Sequence, residues 1–180
     1  MKPEKILAKY FSPLALPVIL LHSRAVADKA LQIAAAYGKP VDLQFIEEAA
    51  LLHDIGVSMT DAPSLDCHGT APYICHGVIG REILEREGLP RHALVCERHI
   101  GVGLTVEDIR KQNLPLPLRD MLPESIEEKI IACADLFYSK KKSGLAAAKS
   151  IEKIRLELTR FGEGKAAVFD SWLTEFSICN

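Results

Sequence analysis

The feature that most constrains this chain is an apolar helical run that ends in an adjacent histidine and aspartate, His53-Asp54, and is closed by Gly56. Residues 49–52 before the pair, Ala-Ala-Leu-Leu, are typical of a protein interior. A buried polar group without a partner costs roughly 2–7 kcal/mol, so the pair needs a partner. A metal ion is one such partner, because the unpaired carbonyls of a helix C-terminus also favour a cation. For any single pair, a solvated aspartate beside a hydrogen-bonded histidine is the preferred explanation, so the presence of further ligands in the chain decides between the two.

The rest of the chain shows the periodicity of helices. Apolar residues recur at three- and four-residue spacing, and the two-residue alternation of a half-buried strand is rare. The pattern predicts helices over residues 1–10, 18–37, 42–52, 72–87, 91–100, from 125 onward, 145–161 and 165–176, with a short helical turn at 105–108. The sequence therefore predicts an all-α protein, a compact helical bundle that forms one domain over residues 1–180.

Two segments interrupt this helical pattern. Residues 57–71 combine serine, threonine, aspartate, proline and glycine, which is typical of a loop. The proline-rich stretch 115–123 is equally consistent with a lid over a site and with a surface excursion. Either segment can therefore border a functional site without belonging to the helical core.

The overall charge and composition narrow the classes of partner. The 180 residues are 48% hydrophobic and 26% charged, and the formal net charge is −2. That balance argues against broad electrostatic binding of nucleic acid. No apolar stretch reaches the roughly 18 residues of a membrane span. The five cysteines are an odd number without a Cys-x-x-Cys motif, which favours reduced thiols, so we expect a cytoplasmic protein that does not bind a membrane.

Candidate metal ligands are spread over the chain in addition to the His-Asp pair. Four imidazoles and two carboxylates lie on or near the ends of five predicted helices: His22, His53, Asp54, His76, His99 and Asp135. Asp135 stands out because it lies among apolar residues, where an unpaired carboxylate is seldom buried. These six groups can surround two metal ions if the helices pack around one cleft, whereas one ion needs three or four of them. For the two ligands between Asp54 and Asp135 in the chain, His68 and His92 are alternatives to His76 and His99.

This ordered pattern resembles the HD-domain superfamily of metal-dependent phosphohydrolases. A lone histidine, then His-Asp, then two spaced histidines and a late Ala-Asp follow one another in the order typical of that superfamily. His53-Asp54-Ile55-Gly56 is the tetrapeptide of its HDIG subgroup. The resemblance covers an HD core of about residues 21–140 and leaves a helical extension, 145–180, outside it. For that extension the sequence leaves open packing on the domain, which is preferred, shaping the pocket, or mediating a homodimer.

The resemblance implies a role for each of the six residues. By the family pattern, His22, His53, Asp54 and Asp135 form the core metal set. His76 and His99 occupy the positions that hold a second metal in binuclear members, a branch that includes hydrolases of dinucleoside polyphosphates, and Asp54 then bridges the two ions and orients the attacking water. Mixed imidazole and carboxylate ligation favours one or two divalent transition metal ions, Fe, Mn, Co, Ni or Zn, over Mg.

One departure from the family pattern affects the substrate more than the metal. Related sequences often carry a lysine just after HDIG, where it can meet a substrate phosphate, but here Val57 follows. Basic residues elsewhere are candidate phosphate contacts, and none is strongly favoured: Arg24, Arg81, Arg98 and Lys140. The metal site is therefore better specified by the sequence than the phosphate-binding group.

The resemblance implies an enzyme, a metal-dependent phosphohydrolase. It would hydrolyse a phosphoester or phosphoanhydride of a small phosphorylated substrate, expected to be a nucleotide, by metal-activated water. One alternative from another class is a non-catalytic regulatory module that binds a nucleotide or a metal. A di-iron oxygenase is the other alternative, because a few proteins of this superfamily oxidise rather than hydrolyse.

Overall fold

The computed structural model describes residues 2–139, 148–162 and 164–178, and its architecture is all-α as predicted. Within these ranges the α-helices are α1 (Pro3–Tyr10), α2 (Ala15–Tyr37), α3 (Leu43–Leu52), α4 (His76–Arg86), α5 (Pro90–Arg98), α6 (Val106–Lys111), α7 (Ile126–Leu136), α8 (Ile151–Thr159) and α9 (Lys165–Glu175). The described sheet is a two-stranded antiparallel pair, β1 (Asp61–Ala62) and β2 (Cys67–His68). None of the described helices is both long enough and apolar enough to cross a bilayer.

Local sequence signals fix most of the helix ends. The Asp42 carboxylate accepts a hydrogen bond from the Phe45 N–H, which caps α3. Thr105 and Asp108 form a reciprocal capping box at the start of α6. Ser125 caps α7 by accepting a hydrogen bond from the Glu128 N–H, and the Glu128 carboxylate accepts from the Glu124 N–H and from an arginine side chain.

Helices α2 and α3 lie between two large apolar clusters. The first cluster joins them to α7 and the C-terminal helices, and the second joins them to α1, α4 and α5. Neighbouring side chains of α3 point into different clusters: Leu51 packs in the first cluster and Leu52 in the second. The last turn of α3 is therefore enclosed on all sides, and His53-Asp54 lie at this place.

The C-terminal helices pack on the rest of the chain. Ile154 and Leu158 of α8 and Phe169 and Trp172 of α9 belong to the first apolar cluster. The predicted helix over residues 145–161 is observed from Ile151 to Thr159, and its first part, like Lys140, lies outside the described residues. Packing of the extension on the domain, the preferred alternative, is therefore what the structure shows.

The two irregular segments are ordered by specific contacts. Residues 57–71 contain 3-10 turns and the β1–β2 pair, which the loop interpretation did not anticipate. In the proline-rich stretch, Leu116 and Met121 are buried in a third, smaller cluster. The Arg119 guanidinium donates to the buried Glu97 carboxylate at 3.0 Å and pins the stretch to α5. These contacts hold the stretch against the body of the protein, which favours the surface excursion over a free lid.

Candidate metal centre

Two imidazoles and two carboxylates meet in a buried group that we call the buried side of the centre. His22 Nε2 lies 3.3 Å from Asp54 Oδ2 and 3.0 Å from Asp135 Oδ1. His53 Nε2 lies 3.2 Å from the same Asp54 oxygen and 3.5 Å from the same Asp135 oxygen. The His22, His53 and Asp54 side chains are at most 1% exposed. The four ligand atoms that face one another are buried, although the Asp135 side chain as a whole is 15% exposed.

The other two predicted histidines form a second group, the cavity side, around the remaining oxygen of Asp54. His76 Nε2 and His99 Nε2 are 3.2 Å apart, and each lies 3.6 Å from Asp54 Oδ1. The two oxygens of one carboxylate thus face two different groups of imidazoles. The structure brings all six predicted residues together, and two groups among them could hold a metal ion: His22, His53 and Asp135, and His53, Asp54 and His99.

The helices place these side chains through the backbone. His22 lies within α2, His53 and Asp54 follow α3, His76 begins α4, His99 follows α5, and Asp135 is in the last turn of α7. The turn after Asp54 packs closely on α4: a Cβ on Gly56 would lie 2.0 Å from the His76 carbonyl oxygen and 2.4 Å from the Gly80 nitrogen. Glycine is required here by space, because α4 must approach this turn to bring His76 to the centre.

Backbone carbonyls orient three of the four rings. The Nδ1 atoms of His53, His76 and His99 lie 2.6–2.8 Å from the carbonyl oxygens three residues earlier. A carbonyl oxygen only accepts, so each Nδ1 carries the hydrogen and each Nε2 presents a lone pair to the centre. Such outer contacts fix the tautomer and direction of metal-binding histidines in general. Sequence reasoning missed this feature, because the acceptors are backbone atoms without a residue signature.

The electrostatics of the centre call for a cation. Burial by itself lowers the pKa of His53, but the charge of Asp54 and the hydrogen bonds to Asp135 and Asp54 outweigh burial and raise the pKa to about 10. His53 Nε2 is also fully enclosed, 3.2 Å from Asp54 Oδ2 and 3.5 Å from Asp135 Oδ1. A proton or a metal ion satisfies both observations, and nitrogen and oxygen donors in this number suit a divalent transition metal. The residues present therefore fit the metal that the sequence implied.

The alternative ligands and the candidate arginines lie elsewhere. His68 is exposed beside Asp66, and His92 packs on Phe45 with its Nε2 3.6 Å from Glu48, so neither of these histidines reaches the centre. The candidate arginines form ion pairs with glutamates: Arg24 with Glu4, Arg81 with Glu85 and Glu97, and Arg98 with Glu124 and Glu128. None of the three lines the cavity beside the centre, so these candidate phosphate contacts are wrong for that site.

A cavity of about 400 Å³ opens on the cavity side of the centre. His76, His99 and Asp135 lie at its inner end, whereas His22, His53 and Asp54 do not line it. Its walls are mostly apolar and come from residues 100–104, Leu114, Leu136 and the C-terminal helices. Pockets of about 300–1,000 Å³ hold small organic ligands, so a small molecule can reach this side of the centre.

Fold and site together define an all-α protein with a buried cluster of histidines and aspartates that can hold divalent metal. The family model of the HD domain matches residues 19–139, about two thirds of the chain. The chain therefore belongs to the HD-domain family, which is in general a family of metal-dependent phosphohydrolases.

Three archaeal relatives share sequence with the chain. An uncharacterized protein of Methanocaldococcus jannaschii is 40% identical over 141 residues, which are 75% of this chain and 76% of that protein. The tRNA (cytidine(56)-2'-O)-methyltransferases of Picrophilus torridus and Thermoplasma volcanium are 37% and 35% identical over 66% and 69% of this chain. The matched parts are only 30% and 32% of those two enzymes. No solved structure matches the chain.

Proposed function

We propose that the chain is a metal-dependent phosphohydrolase that hydrolyses a phosphoester or phosphoanhydride of a nucleotide. The observation that carries this proposal is the position of Asp54, whose two carboxylate oxygens face two groups of ligands about 3.2–3.6 Å away. A pair of divalent ions lowers the pKa of water and stabilises the charge that develops on a transferred phosphoryl group.

The residues of the chain take distinct parts in this proposal. His22, His53 and Asp135 hold the buried side, and His76 and His99 hold the cavity side next to the bound substrate. Asp54 joins the two sides and orients the attacking water. Because the ligand atoms of the buried side are themselves buried, their electrostatic interactions are stronger than they would be in water.

The same purified protein also tests the two alternative functions, a regulatory module and a di-iron oxygenase. A regulatory module would bind a nucleotide tightly without releasing phosphate, and a di-iron oxygenase would consume oxygen. The names of two relatives add tRNA as a substrate to test. Methyl transfer is not carried over, because the chain spans about a third of those proteins.

The test begins with protein purified without chelator. We expect elemental analysis to find up to two equivalents of transition metal, and we expect phosphate or nucleotide release from a member of a panel of nucleotides and tRNA. Chelation should stop the release, and the matching metal should restore it. Tight nucleotide binding without release, or no metal after reconstitution, would overturn the proposal.

A variant links the activity to the bridging residue. Asp54→Ala should lose metal and turnover together, with an effect larger than the roughly 10–100-fold cost of changing an outer-sphere partner. Asp61→Ala, at an exposed aspartate in β1, is the matched control and should keep both. An Asp54→Ala protein with full activity would contradict the assigned role.

A further inference from the structure

The C-terminal helices, which lie outside the family match, form one wall of the cavity beside the metal centre. Ile154, Leu158 and Phe161 line it on the side of α8, facing Leu104 and Leu114. The walls that select a ligand are therefore partly supplied by residues that the HD-domain pattern does not specify.

Within the described residues, 2–139, 148–162 and 164–178, two lysine or arginine side chains line this cavity. Both are lysines from the C-terminal part, Lys149 and Lys165. Val57 occupies the place where related sequences carry a lysine, and none of the candidate arginines lines the cavity. A phosphate that enters the cavity thus meets cationic side chains only from this part of the described chain.

The two lysines differ in the number of hydrogen bonds that their ammonium groups donate. Lys165 Nζ donates to the Gly103 carbonyl and to the Asp108 carboxylate, so it fastens α9 to the segment around α6. Lys149 Nζ donates to Glu157 at 2.8 Å, which takes one of its three N–H groups. Its side chain is 18% exposed and that of Glu157 is 38% exposed. Lys149 is therefore the lysine that can turn from a surface carboxylate to a phosphate.

An aromatic ring stands near the same entrance. Phe161 is 61% exposed although it lines the cavity, an unusual position for a phenylalanine. An exposed ring at a pocket mouth can stack on an aromatic group of a ligand, and stacking of a base on an aromatic side chain contributes about 1–3 kcal/mol. A volume of about 400 Å³ is near the lower end for ligand pockets, so the cavity fits one nucleoside better than two.

We infer that Lys149 and Phe161 determine which phosphorylated compound this chain takes: a mononucleotide whose phosphate meets Lys149 and whose base lies on Phe161. The inference rests on the proposed function, because it places the substrate of that activity. Lys149 provides the contact to the phosphate from the cavity wall, and Phe161 provides selectivity for an aromatic group over a bare phosphate.

Binding of two non-hydrolysable probes to the metal-loaded full chain tests this inference. The first probe, methylphosphonate, carries the anion alone, and the second, a nucleoside 5′-phosphonate, carries the anion and a base. Calorimetry measures the dissociation constant of each probe without any turnover. The wild-type protein should bind the nucleoside phosphonate more tightly than methylphosphonate, and failure to bind either probe would overturn the inference.

Two substitutions separate the parts of the ligand. Lys149→Met should weaken both probes by about tenfold or more, as expected for loss of a hydrogen bond to a charged group. Phe161→Ala should weaken only the nucleoside phosphonate, by roughly tenfold. The matched controls are Lys153→Met and Leu156→Ala, exposed positions of α8 that do not line the cavity, and both should bind like wild type.

A third substitution is expected to increase the affinity for the probes instead of lowering it. Glu157→Gln removes the carboxylate that holds Lys149 and should tighten both probes, whereas a merely structural ion pair predicts no gain in affinity. Lys149→Met binding like Lys153→Met, or Phe161→Ala weakening both probes equally, would overturn the inference. Probe binding that follows these expectations without nucleotide hydrolysis would contradict the proposed function alone.

Discussion

The two sides of the metal centre differ in what encloses them. The buried side is held by α2, α3 and α7, with two carboxylates and no contact between His22, His53 or Asp54 and the cavity. The cavity side has two imidazoles and a shared carboxylate, and its outer wall comes from the C-terminal helices. The comparison teaches that the two carboxylates and the cavity are largely on different sides: only Asp135 of the buried side lines the cavity, whereas both imidazoles of the cavity side do.

The largest expected effect comes from the turn that joins the two sides. Gly56→Ala would place a Cβ 2.0 Å from a backbone oxygen of α4, and backbone atoms cannot move aside as a flexible side chain can. We expect the free energy of unfolding to fall by at least about 3 kcal/mol, with loss of metal from both sides. Urea denaturation and elemental analysis measure these effects.

Gly88→Ala is the control for the effect of backbone conformation. Gly88 has a φ of +77°, but a Cβ there meets nothing within 4 Å. Its replacement should cost only about 1 kcal/mol and leave metal binding unchanged. Gly56 is not one of the glycines with a positive φ, so equal losses at the two glycines would mean that the close approach of α4 is not what requires Gly56.

Much of this arrangement could be predicted from the sequence. Helical spacing predicted the all-α class, and the positions of His53-Asp54 and Asp135 among apolar residues marked three members of the cluster. These signals are local, because a polar group inside an apolar run stands out without knowledge of its neighbours. His76 and His99 were candidates from their places near helix ends, but their role at a second metal position came only from the family resemblance.

Other features depend on tertiary packing and could not be predicted in this way. Residues 57–71 form 3-10 turns and a short strand pair, held by backbone hydrogen bonds such as that from the Asp61 N–H to the Ala71 carbonyl, which have no side-chain signature. The cavity wall of Leu158 and Phe161 comes from a segment about 60 residues away in sequence from His99. The carbonyl contacts that orient the histidine rings leave no side-chain signal at all.

A second prediction sharpens the contrast between the two sides by removing one imidazole from each. His99→Gln should lose the cavity-side ion and keep an ion that resists a chelator, because the buried side retains two carboxylates and two imidazoles. His22→Gln should leave only the cavity-side ion, which has fewer ligands and faces the cavity. We expect the remaining ion to be released at about 10–100-fold lower chelator concentration in His22→Gln than in His99→Gln.

Competition with a series of chelators, followed by elemental analysis, measures this difference. His92→Gln is the control, because His92 lies outside the centre and should leave the metal content of the protein unchanged. Identical release curves for His22→Gln and His99→Gln would mean that enclosure does not distinguish the two sides.

The smallest expected effect concerns the outer wall of the cavity side. Burial alone would raise the pKa of Asp108, but the hydrogen bonds from Lys165 and Thr105 outweigh burial and lower the pKa below its ordinary value. A carboxyl whose pKa is lower in the folded state stabilises the protein above its unfolded pKa, about 3.9, and the stabilisation is lost as the pH falls through the folded pKa. Asp108→Asn should therefore be less stable than wild type at pH 7, by about 1 kcal/mol, and the difference should shrink toward pH 3. Urea denaturation at both pH values with a chelator present measures the change without a contribution from metal release.

The control is Asp28→Asn, at an exposed position of α2, which should be as stable as wild type at both pH values. If the difference in stability between Asp108→Asn and wild type persists undiminished at pH 3, the charge of Asp108 does not hold the C-terminal helices in place.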